Sequence, residues 1–119
     1  MRTTRDPACL FCRIVAGELP STLVLEHDEV IAIRDIAPRA PTHILLMPRD
    51  HIPSAADLTI DDAALLGRLF AAAAEIARAE GIAENGYRIV TNVGAWGGQT
   101  VDHLHFHLMG GRSMTWPPG

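Results

Sequence analysis

Polar and apolar positions change period several times along the chain, and each change marks an element. Asp6-Pro7 has the form of an N-cap followed by proline, and Leu10, Phe11, Ile14 and Val15 run on to Gly17, which predicts a short helix over 7–16. After Leu19-Pro20-Ser21, the β-suited runs Thr22 to Glu26 and Val30 to Ile36 flank His27-Asp28-Glu29, predicting a hairpin with His27 at its surface. Residues 37–41 contain two prolines and cannot sustain a ladder, whereas Thr42 to Met47, bounded by Pro48, reads as a third strand. Thr59, with Asp62 three residues on, resembles a helix cap. Leu66, Leu69, Phe70, Ala73, Ile76 and Ala77 then recur at helical spacing up to Gly81, giving one long helix. Tyr87 to Val93 is a fourth strand, Gly94 to Thr100 a glycine-rich turn, and Val101 to Met109 a fifth strand with strict alternation. The expected class is α+β: a five-stranded antiparallel sheet with one long and one short helix packed on it, both on one face.

Composition narrows the functional classes. At 119 residues, 48% hydrophobic and 20% charged, the chain is expected to form one domain over 1–119 and to bury a core without disulfide staples. The net charge is −4 and all 10 basic residues are arginine, so no polybasic run exists to grip nucleic acid or a membrane surface. No apolar stretch approaches the roughly 18 residues of a membrane span, and the polar N-terminus lacks the apolar core of a signal peptide, so a cytoplasmic protein is expected. In that reducing compartment Cys9 and Cys12 are free thiols or metal ligands.

The candidate chemistry concentrates near the C-terminus. His103, His105 and His107 hold every second position, so a strand presents all three imidazoles on one face and Leu104, Phe106 and Leu108 on the other. Successive rings would stand roughly 6.5–7 Å apart, suited either to addressing one substrate group or to binding different partners. Just upstream, consecutive glycines in Asn92 to Thr100 let backbone N–H groups approach an anion, although the same segment would also serve as a plain connection. No arginine lies between Asn92 and Gly111, so a bound phosphate would depend on backbone N–H, Asn92, Gln99, Thr100 and the imidazoles. Cys9-Leu10-Phe11-Cys12 has the spacing at which two thiolates bind one metal.

The run Asn92-x-Gly94-x-x-Gly97-Gly98-Gln99-Thr100-Val101-x-His103-x-His105-x-His107 resembles the signature of the histidine triad (HIT) family. Asp35-Ile36-x-Pro38-x-Ala40-Pro41-Thr42-His43 resembles that family's upstream motif, and the tail 110–119, ending Trp116-Pro117-Pro118-Gly119, is similar to the end of its nucleotide-binding branch. The resemblance implies a HIT-like fold and hydrolysis of adenosine 5′-phosphoramidate-type substrates to AMP. It implies that His105 attacks the α-phosphorus with its Nδ1–H held by the carbonyl of His103, while His107 and His43 attend the phosphate oxygens and Thr100 the leaving group. Asn92, Gly98 and Gln99 would complete the phosphate cradle. By the same resemblance Phe11, Ile14, Ile33, Ile36 and Leu45 line the base pocket, Asp35 accepts from the ribose, and Trp116 approaches the site of a two-fold partner in a homodimer. Arg34 is expected to face the other way, solvated.

Some branches of the family join such a cysteine pair to two histidines, here His51 and His103, in a structural zinc site that catalysis does not require. Better-known nucleotide-binding members lack both cysteines, so this chain mixes features of two branches. Two other functions share these residues: a dinucleoside polyphosphate hydrolase, and a non-catalytic module in which the histidines bind nucleotide or metal.

Overall fold

The computed structural model describes residues 5–119. In chain order it contains α1 (Leu10–Val15), β1 (Leu23–Glu26), β2 (Val30–Arg34), β3 (Thr42–Pro48), α2 (Ala63–Ala79), β4 (Tyr87–Val90), α3 (Gly94–Gly97) and β5 (Phe106–Gly110), with two 3₁₀ turns preceding α2. The strands form one five-stranded sheet in the order β1-β2-β3-β5-β4, every neighbouring pair antiparallel. No described helix is long and apolar enough to cross a membrane.

The two principal helices lie on opposite faces, which corrects the expectation of helices on one face. Val30 and Ala32 of β2, Ile44 and Leu46 of β3, and Phe106 and Leu108 of β5 pack with Leu69, Ala73 and Ile76 of α2. Ile31, Ile33, Leu45 and Met47 point the other way and pack with Cys9, Phe11 and Cys12 around α1. The physical reason is visible in β3, where every residue is buried. A strand covered on both sides reads as a continuous apolar run, here Ile44-Leu45-Leu46-Met47, instead of alternating. Each fully buried Leu or Ile in such a layer contributes on the order of 1.5–3 kcal/mol of transfer free energy.

Several boundaries differ from the sequence reading: β2 ends at Arg34 and β4 at Val90, short of the expected Ile36 and Val93. Helix α1 starts at Leu10 with Cys9 as N-cap, because Asp6-Pro7 makes a turn of its own, closed by the Cys9 N–H to Asp6 carbonyl bond of 3.0 Å. Thr59 and Asp62 do form a capping box, but around a 3₁₀ turn that feeds α2. The glycine-rich segment contains the one-turn helix α3, and β5 begins only at Phe106, so residues 101–105 run outside the ladder. Arg34 faces away from α1 as expected but is paired with Glu80 at 2.8 and 3.0 Å instead of being merely solvated.

Candidate active site and metal centre

The register of the sheet brings the upstream and downstream motifs together. His43 and His107 stand on neighbouring strands β3 and β5, where Leu45 lies opposite His107 and His43 opposite Met109. Their rings meet with Nε2 of His43 2.9 Å from Nδ1 of His107. His43 Nδ1 accepts the Arg39 backbone N–H at 2.9 Å, so the His43 proton sits on Nε2 and is donated to His107 Nδ1. A neutral His107 then carries its own proton on Nε2. Burial, reinforced by the neighbouring charges of His105 and His43, holds His107 down to about 4, so it is neutral at physiological pH. His43 is lowered as well, by burial first and by Arg39, against the opposing pull of Asp35.

His105 is buried, its ring centroid 5.1 Å from that of His107 and 5.0 Å from the edge-on ring of Phe11. Its Nδ1 lies 2.6 Å from the His103 carbonyl, an acceptor only, so the proton is on Nδ1 and Nε2 holds a lone pair. Thr91 donates its hydroxyl to the His105 carbonyl at 2.9 Å. An imidazole oriented in this way is a competent nucleophile.

A pocket of about 490 Å³ opens beside these rings, lined among others by Phe11, Ile14, Ile33, Asp35, Ile36, Leu45, Thr100, His105 and His107. Ile36 is 99% exposed, at the mouth. Asp35 is a turn residue and a pocket residue at once: one carboxylate oxygen accepts the Ala37 N–H at 2.8 Å, and the other lies 3.4 Å from His43 Nε2. Asn92, Gly98, Gln99 and Trp116 do not line this pocket. The Gln99 side chain braces the glycine segment, accepting from the Gly94 N–H and donating to the carbonyls of Pro53 and Val101. The Gly98 N–H is bonded within α3's last turn, where φ of +83° suits glycine. Trp116 is 81% exposed, with the Arg88 guanidinium 5.9 Å above its ring.

His103 does not join its two neighbours at the pocket. Fully buried, it turns its Nδ1 to the sulfurs of Cys9 and Cys12, at 3.4 and 3.5 Å, and its Nε2–H to the Pro48 carbonyl at 2.8 Å. His51 Nδ1 lies 3.4 Å from Cys12 Sγ, and its Nε2 is 3.9 Å from the Asp6 carboxylate. The ligand atoms of Cys9, Cys12, His51 and His103 all lie within 4.8 Å of one another. The sulfur-to-nitrogen separations match the edge of about 3.5 Å that a tetrahedron with M–S near 2.3 Å and M–N near 2.0 Å requires. Backbone N–H groups of Cys12 and Asp6 bond the sulfurs of Cys9 and Cys12 respectively. Burial, the largest influence, pushes the Cys12 thiol up, so a thiolate there calls for a cation beside it.

Asp35, His43 and His107 also cluster closely enough to hold an ion. The hydrogen bonds decide otherwise: His43 Nδ1 accepts a backbone N–H, so its Nε2 presents a proton, whereas His103 and His51 present bare Nδ1 atoms with Nε2 turned to a carbonyl or a carboxylate. The Asp35–His43–His107 cluster is thus linked as a hydrogen-bond relay, whereas Cys9, Cys12, His51 and His103 turn atoms toward one another that could hold a metal ion. The sequence reading missed Arg39, Pro48, Thr91 and Asp6. The first two act through backbone atoms, which carry no sequence signal. Thr91 and Asp6 were legible only as a strand residue and a cap.

An open antiparallel sheet presenting one oriented imidazole and a second imidazole relay at an apolar pocket defines a histidine triad protein. The chain belongs to the HIT domain family, whose model matches residues 16–114. It is similar to the purine nucleoside phosphoramidase of Escherichia coli (strain K12), at 48% identity over 105 residues, 88% of each chain. A 14 kDa zinc-binding protein of Zea mays is 45% identical over 121 residues, spanning 100% of this chain and 94% of its own. The crystal structure of a HIT family hydrolase from Legionella pneumophila Philadelphia 1 matches with a TM-score of 0.92 at 52% identity, over 93% of this chain and 99% of that one.

Proposed function

We propose that the protein hydrolyses purine nucleoside phosphoramidates to the nucleoside monophosphate, AMP from adenosine substrates, through a nucleotidyl-His105 intermediate. The observation that carries this reading is the 2.6 Å bond from His105 Nδ1 to the His103 carbonyl, which engages Nδ1 and leaves Nε2 as the nitrogen available to attack, in a side chain lining the pocket. Nε2 attacks the α-phosphorus, the P–N bond breaks, and the amine leaves after taking a proton from solvent. Water then attacks phosphorus, the P–Nε2 bond breaks, and the monophosphate departs with the proton balance closed by solvent. The Nε2–H of His107, aligned by His43, donates to the phosphoryl oxygens as charge builds. Thr100 contacts the leaving group. Phe11, Ile14, Ile33, Ile36 and Leu45 take the base, and the Asp35 carboxylate accepts from the ribose. The phosphoramidase relative supports the substrate class.

Cys9, Cys12, His51 and His103 hold zinc when it is bound, a structural ion with four protein ligands and no open position for water. Its zinc-binding relative supports the identity of the metal. Residues 1–119 act as one catalytic domain in a reducing cytoplasm, consistent with the free thiols of Cys9 and Cys12. Two chains pair through their sheets, bringing the exposed Trp116 to the partner's site. Sedimentation at micromolar concentration should give a dimer, and a monomer contradicts that pairing.

The deciding experiment incubates the protein with adenosine 5′-phosphoramidate and, separately, diadenosine polyphosphate, and follows AMP by chromatography. Release from the phosphoramidate, abolished in His105→Ala and His105→Asn with unchanged circular dichroism, is the expected result. Retained turnover in either variant overturns the nucleophile. Release from the diadenosine compound alone makes the protein a dinucleoside polyphosphate hydrolase, and release from neither makes it a binding module.

A further inference from the structure

The carbonyl that orients His105 belongs to a residue outside the sheet. Ladder pairing of β5 with β3 starts at Phe106 opposite Leu46, and β4 pairs no residue earlier than His107. Residues 101–105 therefore lack the regular ladder that would fix a peptide plane from both sides. What holds the His103 peptide is local: its N–H bonds the Val101 carbonyl at 2.9 Å, and the next N–H, of Leu104, bonds the Ile52 carbonyl. The remaining anchor is the His103 side chain, pinned through Nε2 to Pro48 and facing the two sulfurs through Nδ1.

Those sulfurs come from α1 and its cap, and the fourth ligand atom comes from His51, beside the Ile52 whose carbonyl holds Leu104. Phe11, between the two cysteines in sequence, packs edge-on against both the His103 and the His105 rings, at 5.9 and 5.0 Å. Two chain segments, residues 9–12 and 48–51, thus converge on the His103 imidazole, while its carbonyl sets the tautomer of His105.

We propose that His103 is a positioning residue that couples the Cys9–Cys12–His51–His103 metal centre to the nucleophile: cation ligation at its Nδ1 fixes the carbonyl that keeps the His105 proton on Nδ1. The inference rests on the assignment of His105 above. The metal takes no part in bond making. It replaces the missing strand ladder, so catalysis does not require the ion but is improved by it. Loss of an outer-shell partner at a metal site typically costs about 10–100-fold in affinity or activity, and a loss of about tenfold in kcat with little change in KM is expected here.

The test uses protein labelled with ¹⁵N-histidine, loaded with one zinc per chain and then stripped with chelator. In the loaded protein, the His105 Nδ1–H resonance should be resolved and slow to exchange with solvent, and the ring ¹⁵N shifts should show the Nδ1–H tautomer. In the stripped protein that resonance should broaden or vanish, with a mixed-tautomer ¹⁵N pattern, and zinc should restore it. Cys9→Ser, which leaves His103 untouched, should resemble the stripped protein even with zinc present; if that variant does not fold, the stripped wild type carries the comparison. An unchanged Nδ1–H signal after verified metal removal overturns the proposal, as does failure of the protein to take up zinc. Because the resonance needs no substrate, a metal-dependent tautomer in a protein that releases no AMP would sink the phosphoramidase reading and leave the coupling intact.

Discussion

His43 Nε2 and His107 Nδ1 lie 2.9 Å apart, and the proton between them belongs to His43, because its other nitrogen accepts the Arg39 N–H. The direction of the relay is thereby fixed from backbone to pocket: Arg39 N–H to His43, His43 to His107, and His107 Nε2–H outward.

Removing the middle of that relay should lower turnover without emptying the site. His43→Ala frees the His107 ring to adopt either tautomer, and only one of them donates from Nε2. A kcat lower by about 10–100-fold is expected, short of the roughly 10²–10³-fold that outright removal of a transition-state donor costs, with KM changed far less, since the apolar walls Phe11, Ile33 and Leu45 stay in place. Steady-state kinetics on adenosine 5′-phosphoramidate check this, and an equal loss spread into KM would place His43 in substrate binding.

The depressed His107 sets a pH window for stability. The unfolded chain takes up this proton as pH falls below about 6.5, whereas the folded chain resists until about 4. Between those values the unfolded state binds more protons, so stability falls with falling pH and the slope from this group ends below about 4. His43, also lowered, acts in the same sense. Urea midpoints for wild type should decline from pH 7 to 4.5, and His107→Asn should decline less. Parallel curves for the two proteins would remove His107 as the cause.

Much of this was legible in the sequence, and the gaps have physical origins. The alternation through His103, His105 and His107 did place the imidazoles opposite Leu104, Phe106 and Leu108, which are buried against α2's side of the sheet. Alternation specifies faces, however, and not hydrogen bonding, so the late start of β5 at Phe106 was hidden. The two-sided burial of β2 and β3 was written in their unbroken apolar runs, and its consequence, a helix on each face, follows from that run better than from the order of elements. The Cys9 cap on α1 competes with Asp6 for the same helix start, and spacing alone does not rank them. The tautomers of the pocket histidines depend on the carbonyl of His103 and the N–H of Arg39, atoms every residue possesses.

Two glycines should respond to alanine with opposite signs. Gly110 ends β5 between Thr42 and Tyr87, and a Cβ there would lie 2.7 Å from Ile82 Cδ1 and 2.9 Å from Ile82 Cβ. Because Cβ of Ile82 cannot swing aside, Gly110→Ala should destabilise by about 1–3 kcal/mol. Gly67 lies on the exposed side of α2 with open space around it. Gly67→Ala should therefore stabilise by about 0.5–1 kcal/mol through helix propensity and lost chain entropy. Denaturant melts of the pair decide both, and a loss of stability in Gly67→Ala would show that α2 is not the regular helix described.

Metal affinity should depend on a residue that donates no ligand. Asp6 faces His51 Nε2 at 3.9 Å, so its charge favours the tautomer that carries the proton on Nε2 and presents Nδ1 bare to the metal. Asp6→Asn keeps an oxygen able to accept the Ala8 N–H, as Oδ1 does at 2.9 Å, and leaves the backbone N–H that bonds Cys12 Sγ untouched. The turn before α1 should survive while the charge is lost. Competition against a chromophoric chelator should then show zinc held about tenfold more weakly than in wild type, with the metal-free melting temperature unchanged. Equal affinities would mean that His51 takes its orientation from the surrounding packing alone, and that the carboxylate is a bystander at the surface.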